Sequence, residues 1–97
     1  MTIPTAIQTG YLAGMTADFA PDEFGMSTYA ADYTLGFIMG YSESQSIQMA
    51  SPDVAVWTAA ELAYRYKVSV RDLLSHMGLD REQTQHFHDA YEEEREN

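Results

Sequence analysis

Met26-Ser27-Thr28-Tyr29-Ala30-Ala31-Asp32-Tyr33-Thr34-Leu35-Gly36-Phe37-Ile38-Met39-Gly40-Tyr41, residues 26–41, sets the architecture. Met26, Tyr29, Ala30, Tyr33, Phe37 and Tyr41 recur at helical intervals and make one apolar stripe. Ser27 is placed to cap the start, so the stretch predicts a helix over roughly 27–41. Gly36 and Gly40 are four apart and share a face of that helix. Glycine inside a helix costs about 0.5–1 kcal/mol relative to alanine. A pair in register therefore points to close approach of another backbone, from a neighbouring helix or from a partner.

The same pattern occurs upstream. Gly10-Tyr11-Leu12-Ala13-Gly14-Met15-Thr16 echoes Gly36-Phe37-Ile38-Met39-Gly40-Tyr41-Ser42. Ile7, Tyr11, Met15 and Phe19 recur every four residues and predict a first helix from Pro4 or Thr5 to Phe19. Breaker residues in Ala20-Pro21-Asp22-Glu23-Phe24-Gly25 make a loop between the two. Residues 1–41 thus read as a helical hairpin.

Downstream, polar Ser42-Glu43-Ser44-Gln45-Ser46 reads as a loop, and weak alternation around Ser51-Pro52-Asp53 predicts a short β-hairpin near residues 46–57. Three helices follow over 58–93. Thr58 with Glu61 forms a capping-box signature, Ser69 with Asp72 a second, and Asp80 with Gln83 a third; Gly78 is placed to end the middle helix. Glu92, Glu93 and Glu94 oppose the dipole at the end of the last helix and predict fraying there. The expectation is one mainly α domain of about five helices spanning residues 1–97.

Charge is the strongest functional signal. Fifteen acids against five bases give a net charge of −10, and no Lys or Arg precedes Arg65. Residues 1–64 carry seven acids, among them Asp18, Asp22, Glu23, Asp32 and Glu43. Such a surface repels phosphates and membranes and attracts basic protein grooves at long range. Solubility is the plainer use of acidity, but ordinary surfaces mix signs, and 64 residues without a base go beyond it. Tyr29 and Tyr33 beside Asp32 would supply aromatic anchors in a mixed patch, because tyrosine buries area while keeping a polar tip. The candidate partner-binding set is therefore Asp18, Asp22, Glu23, Tyr29, Asp32, Tyr33 and Glu43.

Catalysis and metal binding find little purchase. Cysteine is absent, which removes disulfides, thiolate nucleophiles and Cys-based zinc sites. His86 and His88 sit two apart on a predicted helix and point about 200° apart, a poor arrangement for one ion. No acid stands with a nucleophile or a phosphate loop. No enzyme activity, cofactor or metal is expected. No basic segment followed by an apolar run opens the chain, and no stretch approaches about 18 apolar residues; a cytoplasmic setting is expected.

Residues 61–74 resemble a helix-turn-helix: Leu62, Ala63, Tyr66, Val68 and Leu73 match its apolar and small positions, and Arg65, Lys67, Arg71 and Arg81 cluster around it. The second helix would offer Ser69, Val70, Arg71, Ser75 and His76 to a major groove. Lys67 stands where the turn usually has glycine, and Asp72 lies on the reading helix. A small transcriptional regulator or antitoxin is the alternative this implies. The same stretch through Leu79 is similar to the helical half of a LysM module.

The length, acidity, lack of cysteine and base-free N-terminal two-thirds resemble small phage-encoded anti-CRISPR proteins of the DNA-mimic type. The resemblance is one of whole-chain character. It implies a non-catalytic inhibitor that occupies a basic nucleic-acid-binding groove, with subunits of a type I CRISPR surveillance complex as the partner. Carboxylates at helical spacing lie about 5–6 Å apart, and phosphates advance about 3.4 Å per nucleotide along a strand, so acids can stand in for them.

Overall fold

Caps divide the chain into its helices. The Thr5 hydroxyl accepts the Gln8 N–H at 3.1 Å and the Gln8 side chain accepts the Thr5 N–H at 2.9 Å, a reciprocal box that opens α1 (Ala6–Thr16). Asp22 caps the single turn α2 (Glu23–Met26) by accepting from Gly25 N–H at 2.7 Å. The computed structural model describes residues 4–97. The remaining helices are α3 (Ala31–Met49), α4 (Pro52–Tyr66), α5 (Val70–Met77) and α6 (Arg81–Glu96). No strand occurs among the described residues, so the flanking strands of a LysM module are missing.

The β-hairpin expected near residues 46–57 is instead a helix–turn–helix junction. Ser42 and Ser44 are buried on α3, so the polar run reads as loop only until its inward positions are known. The helix stops at Ala50, which turns left-handed (φ 52°) and places its N–H on Ile47 O at 3.2 Å, while Ser51 N–H reaches Ser46 O at 3.1 Å. Pro52 then starts α4, where a missing N–H costs nothing, and Asp53 suits the positive end of the helix. Thr58 consequently lies inside α4 rather than capping it, and Glu61 pairs with Arg65 at 2.8 Å. Ser27 likewise does not open the next helix: it ends α2, its N–H on Glu23 O at 3.0 Å, and α3 begins after Ala30 without a side-chain cap.

Later signals hold. Ser69 accepts from Asp72 N–H at 3.2 Å, Gly78 is left-handed at φ 63°, and Asp80 and Gln83 form a reciprocal box. The last helix continues through Glu92–Glu94 to Glu96, with Arg95 beside Glu92 at 3.7 Å.

Leu35 and Ile38 of α3, Val56, Ala59, Ala60, Leu62 and Ala63 of α4, Leu73 of α5 and Phe87 of α6 form the core. Three alanines on α4 let its neighbours come near. α1 packs on α3, α3 on α4, and α4 on α6.

The glycine pairs meet each other. A Cβ on Gly36 would strike the Ile7 carbonyl, one on Gly40 the Tyr11 carbonyl, one on Gly10 the Tyr33 carbonyl, and one on Gly14 the Phe37 carbonyl. Contacts advance together along both helices, from Ile7 with Gly36 to Tyr11 with Gly40. α1 and α3 are therefore parallel, not the antiparallel hairpin expected. Residues 17–30, including α2, form a crossover that returns the chain to the starting end.

Candidate functional site

The crossover runs over the outer side of α4. Phe19 and Ala20 share a hollow with Tyr41, Thr58, Leu62 and Arg65. The Tyr66 hydroxyl donates to Pro21 O at 2.5 Å, and Lys67 meets Glu23 at 3.0 Å. Asp18, Asp22 and Glu23 are thereby brought to the α4 side. Asp32 and Glu43 take a different line. They stand eleven residues apart on α3, three turns, so they project within about 20° of each other and roughly 16 Å apart. That line continues the Gly36–Gly40 face toward α1, and Glu43 accepts a hydrogen bond from the Tyr11 hydroxyl. Tyr29 and Tyr33 stack with ring centroids 4.3 Å apart, flanking Asp32 in the chain.

Of the five N-terminal candidate acids, three have structural duties: Asp22 caps α2, Glu23 pairs with Lys67 and Glu43 bonds Tyr11. Asp18 and Asp32 have no side-chain hydrogen bond or ion pair among the described residues. The Glu43 contact, with burial behind it, holds the Tyr11 phenol above its usual value of 10.0. Burial, and then the neighbouring Tyr29, does the same for Tyr33. The Glu23 carboxylate raises the Lys67 ammonium above 10.5.

Fourteen of the fifteen carboxylates are exposed, Glu94 being half-buried. Of the five bases, Arg65, Lys67 and Arg95 each face a carboxylate, and Arg71 and Arg81 have no ion pair among the described residues. Among the described residues, no group of three His, Asp or Glu side chains is placed to hold a metal ion. None of the helices described is long and apolar enough to cross a membrane.

A short turn, residues 67–69, joins α4 to α5. Lys67 ends α4 in the left-handed region at φ 56°, and Val68 N–H reaches back to Ala63 O at 3.2 Å. Leu73 is buried, while Arg71, Ser75 and His76 face solvent. His76 Nδ1 lies 2.8 Å from Asp72 O, tying its ring to the helix.

Sequence reasoning missed an aromatic seam between α4 and α6. Trp57, Glu61 and Tyr64 follow at helical spacing along α4, and Tyr64 meets Tyr91 edge-on at 5.9 Å. Trp57 is 54% exposed. The signal was present as an i, i+4, i+7 stripe, but placing Trp57 in a strand and starting the helix at Thr58 hid it.

Fold and surface together define a small all-α protein with an acidic exterior. The chain belongs to the family described as "Protein of unknown function (DUF2623)", which matches residues 4–96. No solved structure matches the chain.

Proposed function

We propose that the protein is a non-catalytic binding protein whose carboxylates dock against a basic, nucleic-acid-binding protein surface and compete there with polynucleotide. One observation carries this reading: fourteen carboxylates are exposed while three of the five bases are already neutralised by acids. Those pairs use three acids as well, so the surface keeps its net charge of −10, and that field steers association with a cationic groove. The Asp32–Glu43 spacing on α3 corresponds to roughly five phosphate steps of a strand. Subunits of a type I CRISPR surveillance complex are the specific target implied by whole-chain character, and the bacterial cytoplasm is the setting.

Affinity capture from the native host, followed by competition with duplex DNA, tests the reading. Asp18→Asn and Asp32→Asn are the informative variants, because neither side chain has a structural partner among the described residues. Their loss should weaken capture and flatten its salt dependence without lowering stability. Undiminished capture by the double variant at every salt concentration removes the proposal.

The turn at Lys67 and the two unpaired arginines favour a second reading, a helix-turn-helix regulator reading duplex through α5. It requires sequence-selective duplex binding that is lost on Arg71→Ala. A flat gel-shift titration at low salt eliminates it.

A further inference from the structure

The α4–α6 seam is an unpartnered, partly aromatic helix face. Two hollows of ≈ 320 and ≈ 560 Å³ run along it and share Glu61 and Glu94 as walls. Trp57 lines the first, and Tyr64 and Tyr91 line the second. Aromatic faces are exposed here in a molecule whose core lies on the opposite side of the same helix: Val56, Ala59, Ala60 and Ala63 point inward. Trp57 and Tyr64 therefore contribute an apolar surface that the fold does not use up.

Charge says what would cover it. Around the first hollow stand Glu61, Asp89, Glu93 and Glu94, with His86 the one titratable nitrogen. The bases of the second hollow are already engaged, Arg65 by Glu61 at 2.8 Å and Lys67 by Glu23 at 3.0 Å. Asp89 accepts from Gln85 Nε2 at 2.9 Å. Asp89, Glu93 and Glu94 are left without a cation among the described residues. An aromatic face beside unbalanced carboxylates matches one chemistry: a cationic side chain whose aliphatic stem lies on the ring and whose head reaches the acids.

We infer that the α4–α6 seam docks a protein segment bearing lysine or arginine, with Trp57 as the cation–π platform and Asp89, Glu93 and Glu94 as counter-charges. Of the crossover and α3 carboxylates only Glu23, paired with Lys67, borders the seam, at the wall of the second hollow; the inference rests on Trp57, Asp89, Glu93 and Glu94 and holds whether or not the others meet a nucleic-acid-binding protein.

Trp57 is the only tryptophan in the chain, so its emission reports this seam alone. The probe is a short fluorescent-labelled peptide alternating arginine with leucine; its counterpart has citrulline in place of arginine. The arginine peptide should give a saturable change in Trp57 emission and in labelled-peptide anisotropy, weakened by salt, and the citrulline peptide should give neither. A cation–π contact of about 1–2 kcal/mol corresponds to roughly a 5- to 30-fold affinity loss for Trp57→Leu, read by anisotropy. Asp89→Asn with Glu93→Gln should weaken binding comparably, while Asp18→Asn with Asp32→Asn should leave it unchanged. Equal weakening by the two charge pairs would mean a diffuse field without a seat, and it overturns the inference. So does full affinity in Trp57→Leu, or binding of the citrulline peptide as tight as that of the arginine peptide.

Discussion

Gly36→Ala puts the packing of α1 on α3 to its sharpest test. The new Cβ would collide with the Ile7 carbonyl oxygen and would stand 2.9 Å from both the Ile7 carbonyl carbon and the Tyr11 amide nitrogen, where ordinary contact begins at 3.4 Å. Every atom it meets is backbone, so no side chain can swing aside. The helices must separate by roughly an ångström, and overpacking of this kind costs about 1–3 kcal/mol. Against it stands the better helix propensity of alanine, about 0.5–1 kcal/mol. With only backbone atoms in the way the steric term lies toward the upper end of its range, leaving a net loss of about 2 kcal/mol. For a domain of this size each kcal/mol lowers Tm by roughly 4–8 °C. Amide exchange adds a spatial signature: protection should fall in α1 and the facing half of α3 and persist in α4 and α6. Gly25→Ala is the control, since its Cβ would meet only the Asp22 and Pro21 side chains at 3.3 and 3.4 Å. A Gly36→Ala protein as stable as its parent, with α1 amides still protected, would refute the backbone-to-backbone packing.

Three further outcomes follow from single atoms or angles. Ala50 closes α3 in the left-handed region at φ 52°, where a Cβ costs roughly 1–2 kcal/mol. Ala50→Gly should therefore stabilise by about 0.5–1 kcal/mol in denaturant titration; a destabilised variant would contradict the assigned cap. The Ser42 hydroxyl is buried without a partner, a condition worth about 1–3 kcal/mol against folding. Ser42→Ala should raise Tm, and a lowered Tm would show that the hydroxyl holds a bond. Finally, Tyr11 is raised above 10.0 chiefly by Glu43, Tyr33 and Tyr66 are raised above it chiefly by burial, and Lys67 is raised above 10.5 by Glu23. In each case the fold favours the protonated form, so the stabilisation is complete below the unfolded value and disappears as pH climbs through the folded one. Stability should hold through neutrality and fall above about pH 10. Tyr11→Phe should soften that fall, which pH-dependent melting with tyrosinate absorbance would record; an unchanged alkaline limb would sink the assignment.

The signals that proved legible were short-range. Ser69, Gly78 and Asp80 act on residues two or three away, and their reading required no tertiary knowledge. The glycine pairs were legible as a place of close approach because their cost needs a return. Their direction was not, since a small-residue face looks alike from either end. The crossover length held that information: an antiparallel helical hairpin needs only about 2–5 residues, whereas residues 17–30 retrace the length of α1. The stretch 42–57 failed for the opposite reason. Ser42 and Ser44 are polar yet buried, and Val54 and Val56 alternate while belonging to a helix whose inward positions are Val56, Ala59, Ala60 and Ala63. Tertiary burial overrode the local pattern, and the candidate site suffered with it, because Trp57 lost its helical neighbours.

Charge was fully legible in amount and only partly in placement. The five N-terminal candidate acids divide between the crossover, lying over α4, and the α1-facing line of α3, so they cannot all enter one narrow groove at once. A partner contacting every one of them would have to wrap α3 and the crossover together. A partner using the α4–α6 seam would touch neither Asp32 nor Glu43, and one using α5 would meet Arg71 beside Asp72 and avoid the five N-terminal acids. These footprints differ so much that a single mapping experiment separates them. Amide shifts on partner binding should cluster on α3 and residues 17–30, on α4 with α6, or on α5. The bases argue for the first two. Three of the five already hold carboxylates, and removing one, as in Lys67→Gln, frees Glu23 and makes the crossover more anionic. If a cationic partner docks there, that variant should bind more tightly than the parent. A duplex bound through α5 should instead lose affinity, so the sign of the change at Lys67 alone distinguishes a protein target from a nucleic acid.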